Sequence, residues 1–337
     1  MIKKQPLKLV HITNIPTPYR IYFFNKLNLI LKDKDINLIV IYCALSEPNR
    51  NWEINKSAIN YNFHILKGIT INLKFMFLHI NPFIYNFLNK VKPDILFNAG
   101  SWNMPSALIS LFIKNRTSCI KIFWSEGHKK SVLNPNGLIA FFRRKVMRSY
   151  DFFAVPNKNS RDFLIEEKVA NKFQMINLPN TIQEEYFVNN KNPFKNNKFK
   201  ILTIIAALEK RKGYKYLLDA LEILPINIKN LFHIEIVGEG EQSNLIKKSL
   251  KDFKISHKFW GNLKTKDVAS LLSRSHGFIL PSLIDPNPLS AIEALASGLP
   301  LLLSKNCGNY KECIKERKNG WSFNPLDKYD VAKKITF

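Results

Sequence analysis

The chain has 337 residues, 46% apolar and 23% charged, with 51 lysines and arginines against 26 acidic residues. That length predicts two domains, and that composition excludes a disordered or collagen-like chain. No run reaches the roughly 18 apolar residues of a membrane-spanning helix, and MIKKQPLKLVHITNIP, lacking a long apolar region and a cleavage site, reads as a first strand rather than a signal peptide.

In chain order, strands are predicted at LKLVHIT (7–13), INLIVIYC (36–43), DILFNAG (94–100), CIKIFWSE (119–126), DFFAVP (151–156) and FQMINLP (173–179). Their near-continuous apolar runs suit strands buried on both faces of a parallel sheet. Helical patterns such as YRIYFFNKLNLILK (19–32) and PSALISLFIKN (105–115) lie between them, which is the alternation of βαβ units. The Asn- and Lys-rich stretch VNNKNPFKNNK, residues 188–198, reads as a linker. After it the alternation restarts with FKILTIIAAL, LFHIEIVGEG, HKFWGNL, GFILPS and LPLLLS. The expected organisation is a first α/β domain over 1–187 and a second over 199–337. Ligands in such doubly wound folds bind outside the carboxyl ends of the strands.

A net charge of +25 suits an anionic partner: nucleic acid, lipid headgroups or a phosphate-bearing substrate. Lys, Asn, Ile and Phe are abundant together, however, a pattern of general compositional drift, so the charge carries little weight in choosing a function. The cysteines Cys43, Cys119, Cys307 and Cys313 are scattered without a C-x-x-C, as expected of reduced, buried thiols in a cytosolic protein. The seven histidines show no zinc-ligand spacing.

Chemistry concentrates in PSLIDPNPLSAIEALASGLPLLLS. From Pro286 to Ser304 the single charged side chain is Glu293. Asn287 fits an N-cap, Pro288 a first helical position and Gly298 the C-cap, with Leu289, Ile292, Leu295 and Ala296 on one apolar face. The helix then starts at a strand's carboxyl end, where its positive terminus suits a phosphate. Glu293 reads either as an acceptor for a ribose diol or as a structural carboxylate bonded to backbone or to a lysine.

This segment resembles the signature of retaining glycosyltransferases of family 4, which have the GT-B fold: an acidic residue, seven residues, then Glu, followed by an Ala-rich turn, Gly and Pro. The resemblance continues through CGNYKECI…KNGWSFNP and covers Leu7 to about Asp330. It implies two Rossmann-like domains facing each other across a cleft, with a nucleotide-diphosphate sugar as donor. Glu293 would hold the donor's ribose and Asp285 the hydroxyls of its sugar. Asp is one methylene shorter than the family's Glu. Pro286 and Pro288 stand where the family has glycines and remove two N–H donors, so diphosphate binding leans on the N–H groups of Asn287, Leu289 and Ser290.

In AALEKRKGYKYLLDAL, Lys212 before Gly213 matches the family's diphosphate-clasping lysine, whereas Ala207 occupies its arginine position. Lys210 or Arg211 is the candidate substitute; a solvated basic turn is the alternative for all three. Cationic stabilisation of the leaving diphosphate would replace a metal ion, so no metal or other cofactor is expected. The D-x-D of Asp33 and Asp35 reads as a solvated turn. In VGEGE, Gly238 corresponds to a family glycine turn near the donor base.

In TNIPTPYR, Pro16 and Pro18 hold the loop extended until a helix starts near Tyr19. Arg20 opposes the helix dipole there, which predicts an anionic neighbour or full solvation. The resemblance puts Thr17, Tyr19 and Arg20 on the acceptor side; the alternative for Arg20 is a surface charge. In FWSEGH, Glu126 is the first candidate and His128 the second for orienting or deprotonating an acceptor hydroxyl. NGLIAFFRRKVMRSYDFF (136–153) reads either as a face for an anionic membrane or as an ordinary core-facing helix with a basic outer face.

The resemblance thus implies sugar transfer, with retention, to a glycan or lipid-linked acceptor. The expected setting is bacterial surface polysaccharide or lipopolysaccharide assembly in the cytoplasm, at the inner face of the plasma membrane. Three alternatives compete: a sugar-nucleotide-binding protein without transferase activity, a GT-B epimerase, and a nucleic-acid-binding protein, the last without any recognisable motif. Because the family continues into helices that pack back on the first domain, the ending VAKKITF predicts a cut or divergent tail.

Overall fold

The computed structural model describes residues 5–48, 56–73, 76–113, 119–132, 134–188 and 200–336. The expected linker, apart from Val188, lies outside the described residues. The chain forms two compact units. The first comprises Met1–Ser125, Asn134–Pro156 and Arg161–Thr181; the second comprises Glu126–Leu133, Asn157–Ser160 and Ile182–Phe337.

The first unit carries β1 (Leu7–Thr13), α1 (Pro18–Lys32), β2 (Ile36–Tyr42), β3 (Asn62–Ile65), β4 (Ile69–Leu73), β5 (Met76–Ile80), α2 (Ile84–Val91), β6 (Ile95–Ala99), α3 (Pro105–Ser110), β7 (Ile120–Trp124), α4 (Gly137–Met147), β8 (Phe152–Val155), most of α5 (Lys158–Glu166) and β9 (Met175–Asn177). Seven strands form one sheet in the order β3-β2-β1-β6-β7-β8-β9, parallel throughout, while β4 and β5 make a separate antiparallel hairpin. Alternation along β1 explains why the sheet is buried twice over. Leu9 packs with Phe24 and Leu31 of α1, whereas Val10 and Ile12 pack with Ile84 and Leu88 of α2.

Helix α1 starts at Pro18, one residue before the predicted start, because Thr17 caps it: Thr17 Oγ1 accepts the Arg20 N–H at 3.4 Å. Helix α3 ends at Ser110 rather than continuing to 115. Its end tightens into i→i−3 bonds, Leu111 to Leu108 and Phe112 to Ile109, both 3.1 Å. The sequence reading did not include β3 or the hairpin, whose short strands mix polar and apolar positions without a buried run.

The second unit carries α6 (Glu184–Phe187), β10 (Lys200–Ile205), α7 (Tyr214–Glu222), α8 (Ile226–Lys229), β11 (Phe232–Val237), α9 (Ser243–Asp252), β12 (Ser256–Phe259), α10 (Thr265–Ser273), β13 (Gly277–Leu280), α11 (Leu289–Ala296), β14 (Leu301–Ser304), α12 (Tyr310–Cys313), β15 (Gly320–Phe323) and α13 (Lys328–Ile335). Its six strands run parallel in the order β12-β11-β10-β13-β14-β15. The sheet order reverses from β11 to β13 across β10, so the loops after these strands gather at one edge of the unit, at a topological switch point. Strand β15 falls in KNGWSFNP, which was not among the predicted strands.

Candidate donor site

Three loops after the strands of the second unit approach one another backbone to backbone. Gly238, after β11, has φ +130°, and a Cβ there would lie 2.1 Å from Ala206 O, after β10. Gly213 has φ +73°, and its Cβ would lie 2.1 Å from Pro281 O, after β13. Only glycine tolerates that combination of contact and conformation. The 3-10 turn Lys210–Lys212 is thereby pressed against the loop that follows β13, and Arg211 O accepts the N–H groups of Leu283 and Ile284 at 2.9 and 3.1 Å.

That contact brings two predicted residues together. Lys212 Nζ donates to Asp285 Oδ2 at 2.5 Å, with side chains only 12% and 9% exposed, and Ser282 Oγ donates to the same oxygen at 3.5 Å. The neighbouring Arg211 is placed differently: its Nε donates to Glu209 Oε2 at 2.6 Å, in an exposed pair within its own turn.

The loop carrying Asp285 is clamped by the segment after β14. Gly308 N donates to Asp285 O at 2.9 Å, and a Cβ on Gly308 would sit 1.7 Å from Pro286 O. Asn306 Nδ2 donates to Leu283 O at 3.1 Å and Asn309 Nδ2 to Pro288 O at 3.0 Å. Sequence reasoning missed these residues; the signal was the run SKNCGNY, whose small and amide residues suit backbone clamping.

Helix α11 departs from the expected caps. Its N-cap is Pro288, not Asn287, and Leu289 is its first residue. Asn287 does not cap because its Oδ1 is taken by Asn157 Nδ2, 3.2 Å away. At the other end Ser297 is the C-cap and Gly298, at φ +76°, lies one residue beyond. The Leu299 N–H bonds Ala294 O and the Gly298 N–H bonds Leu295 O, forming a Schellman motif. The most buried helical positions are Ala291 and Ala294, both fully buried, whereas Leu289, Ile292, Leu295 and Ala296 are only partly so. Small residues let α11 lie close to its neighbours, which is why the larger ones sit at the flanks.

Glu293 is partly buried on α11, and among the described residues its carboxylate has no hydrogen-bond or ion-pair partner. The alternative of a structural carboxylate bonded to backbone or lysine is therefore not what the structure shows. Desolvation alone pushes its pKa up to about 7.

Glu126 and His128 belong to the second unit, and it is the second candidate that meets Asp285. His128 is 3% exposed, with Nε2 3.4 Å from Asp285 O, and burial lowers its pKa, which keeps the imidazole neutral at pH 7. Its N–H donates to Ser131 Oγ at 2.8 Å. Glu126 is half-buried; its backbone carbonyl accepts Ser160 Oγ at 2.8 Å.

In the first unit, Thr17, Tyr19 and Arg20 share the first turn of α1. Arg20 is neither solvated nor a surface charge. It is 8% exposed, and its guanidinium carbon lies 3.8 Å from the centroid of Trp124 and 5.3 Å from that of Tyr19. Stacking on an indole face suits a weakly hydrated guanidinium. Helix α4 also reverses an expectation. Its inward residues are Ala140, Arg143 and Met147, while Leu138, Ile139, Phe141 and Phe142 are 50–77% exposed. Arg143 turns inward because Glu167 and Asn134 O receive it at 2.8 and 2.9 Å. This is not a core-facing helix with a basic exterior.

The model of the family described as Glycosyl transferases group 1 matches residues 187–337. The chain carries a glycosyl transferases group 1 domain. Lys212, Asp285 and Glu293 all lie within the matched residues, whereas His128 and Asn157, which bond the 285–287 loop, lie before them. An uncharacterised glycosyltransferase of Haemophilus influenzae is 29% identical over 122 residues, 36% of this chain and 34% of its own. The UDP-Gal:alpha-D-GlcNAc-diphosphoundecaprenol alpha-1,3-galactosyltransferase of Escherichia coli is 27% identical over 194 residues, 51% of this chain and 48% of its own. The matched part thus spans a third to a half of these relatives. The solved structure of the lipopolysaccharide outer core galactosyltransferase WaaB superposes with a TM-score of 0.72 at 15% identity, covering 98% of this chain and 89% of that one. Two parallel-sheet, Rossmann-like units and this likeness establish the GT-B fold for the chain.

Proposed function

We propose that the chain is a retaining glycosyltransferase of family 4 that moves a sugar from a nucleotide-diphosphate donor to a glycan or lipid-linked acceptor. The observation that carries this reading is Glu293. An unpartnered carboxylate inside a small-residue helix is costly unless it meets a ligand, and a ribose diol offers the two donors that a carboxylate accepts. In this reading the N–H groups of Asn287, Leu289 and Ser290 hold the diphosphate with Lys212, and Asp285 accepts hydroxyls of the transferred sugar. Gly238 leaves room for the base. Arg211 contributes only if it exchanges Glu209 for the diphosphate.

The new bond forms between an acceptor oxygen and the anomeric carbon, on the face from which the phosphate leaves. The departing phosphate oxygen takes the acceptor's proton. His128, neutral and beside Asp285, orients the acceptor hydroxyl, with Glu126 as second candidate, and Thr17, Tyr19 and Arg20 serve the acceptor side. Charge on the leaving group is met by N–H groups and Lys212 rather than by a metal ion.

The galactosyltransferase relative, whose name carries a diphosphoundecaprenol acceptor, supports a lipid-linked acceptor and a place in bacterial surface-glycan assembly. Exposed Leu138, Phe141 and Phe142, with Lys145 and Arg148 beside them, support contact of 136–153 with an anionic membrane from the cytoplasm. Among the described residues no helix is long and apolar enough to cross one. The test is a panel of nucleotide sugars in thermal-shift assays on wild type and Glu293→Ala. One donor should stabilise wild type and not the variant; equal responses contradict the role of Glu293.

A further inference from the structure

Asn287 stands between Pro286 and Pro288, neither of which has a backbone N–H. It is more than nine-tenths buried, 8% exposed, and its orientation is fixed by its neighbours. Asn157 Oδ1 accepts the backbone N–H of Ser160 at 2.8 Å, so Nδ2 is the end of that amide facing the loop, where it donates to Pro286 O at 3.3 Å. The atom of Asn287 that meets Asn157 Nδ2 must then be the acceptor, Oδ1. Asn287 Nδ2 is left buried and without a hydrogen-bond partner among the described residues. Such a donor costs stability unless a ligand satisfies it.

The surroundings say which ligand. The positive end of α11 begins two residues later, at Leu289. Lys212, the cation that this reading gives the diphosphate, is shared with Asp285, so an arriving anion needs neutral N–H donors beside it. The prolines have removed two of those. We propose that the Asn287 side-chain amide is a diphosphate-binding donor that takes the place of those backbone N–H groups, and that Asn157 is the positioning residue that aims it. The inference rests on the reading of this loop as the donor's diphosphate site.

Calorimetry on the full chain with inorganic pyrophosphate, UDP and uridine tests it. Wild type should bind pyrophosphate and UDP, and Asn287→Leu should weaken both at least tenfold while leaving uridine unchanged. Asn157→Ala should weaken both three- to tenfold, and the Asn157→Ala, Asn287→Leu double variant should bind no worse than Asn287→Leu alone, since one residue acts through the other. Should Asn287→Leu fail to fold, Asn287→Ala removes the amide without adding charge or bulk; it should show the same loss. Unchanged pyrophosphate binding in either variant, an equal loss of uridine, or no pyrophosphate binding by wild type overturns the proposal. Glu293→Gln separates it from the function it rests on. That variant should weaken UDP but not pyrophosphate, so insensitivity of UDP there condemns the ribose role and leaves Asn287 standing.

Discussion

Lys212 and Asp285, 73 positions apart in the chain, form an ion pair at 2.5 Å with both side chains about nine-tenths buried. Opposite charges held out of water attract strongly, but each has given up hydration, so removing one leaves the other uncompensated. Lys212→Met should therefore destabilise the second unit by about 2–4 kcal/mol in urea unfolding. The Lys212→Met, Asp285→Asn double variant should recover at least half of that loss, and a double variant no better than the single would contradict the pairing.

Glu293 predicts a stability trend of definite sign. Its folded-state pKa is raised to about 7, so between about pH 4.5 and 7 the folded state holds a proton that the unfolded state has released. Stability should fall as pH rises through that window and level off above it. Glu293→Gln should be more stable than wild type at pH 8, by roughly 2 kcal/mol, and close to wild type at pH 4.5. Ribose binding needs the ionised carboxylate, so donor affinity should rise with pH through the same range. Melting curves at a series of pH values check the first point and calorimetry the second.

The clamp on the Asp285 loop depends on Gly308. A Cβ there would stand 1.7 Å from Pro286 O, a backbone atom that cannot swing aside. Gly308→Ala should displace residues 285–288, cost about 3 kcal/mol or more, and abolish stabilisation by any nucleotide sugar. A melting temperature within a degree of wild type would show that the loop yields freely.

Helix α4 should bind bilayers through its outer face. Phe141→Ser with Phe142→Ser should reduce sedimentation with vesicles containing anionic phospholipid at least fivefold, without lowering the melting temperature, since both rings are more than half exposed. Wild-type binding should weaken as salt rises, through screening of Lys145 and Arg148. Retention of vesicle binding by the double variant contradicts this role.

Much of this was legible in the sequence for local reasons. Asp285 and Glu293 are eight residues apart, on one loop and the helix it feeds, so a single local motif that resembles the family's signature tied them together. Apart from β3 and β15, the strands of both sheets announced themselves as apolar runs because parallel strands are covered on both faces. What escaped was non-local. Amphipathic spacing in α4 marks two faces but not which turns inward; Glu167 decides that by receiving Arg143. The stacking of Arg20 on an indole from β7 was not legible in its helical turn, because Trp124 is more than a hundred residues away in the chain. Asn157 and Gly308 drew no reading from the sequence, because only the fold sets them against Pro286 O. The caps of α11 were misplaced because Asn287, a good capping residue, spends its oxygen on Asn157.

The central claim is sugar transfer at the site of Asp285 and Glu293, and turnover tests it most directly. The nucleotide sugar that best stabilises wild type should release its nucleoside diphosphate when offered with a lipid-linked glycan acceptor, and NMR of the product should show the donor's anomeric configuration retained. Asp285→Asn should lower that rate at least a hundredfold while still binding the donor. A donor that binds yet is never turned over, or a product of inverted configuration, would contradict the account.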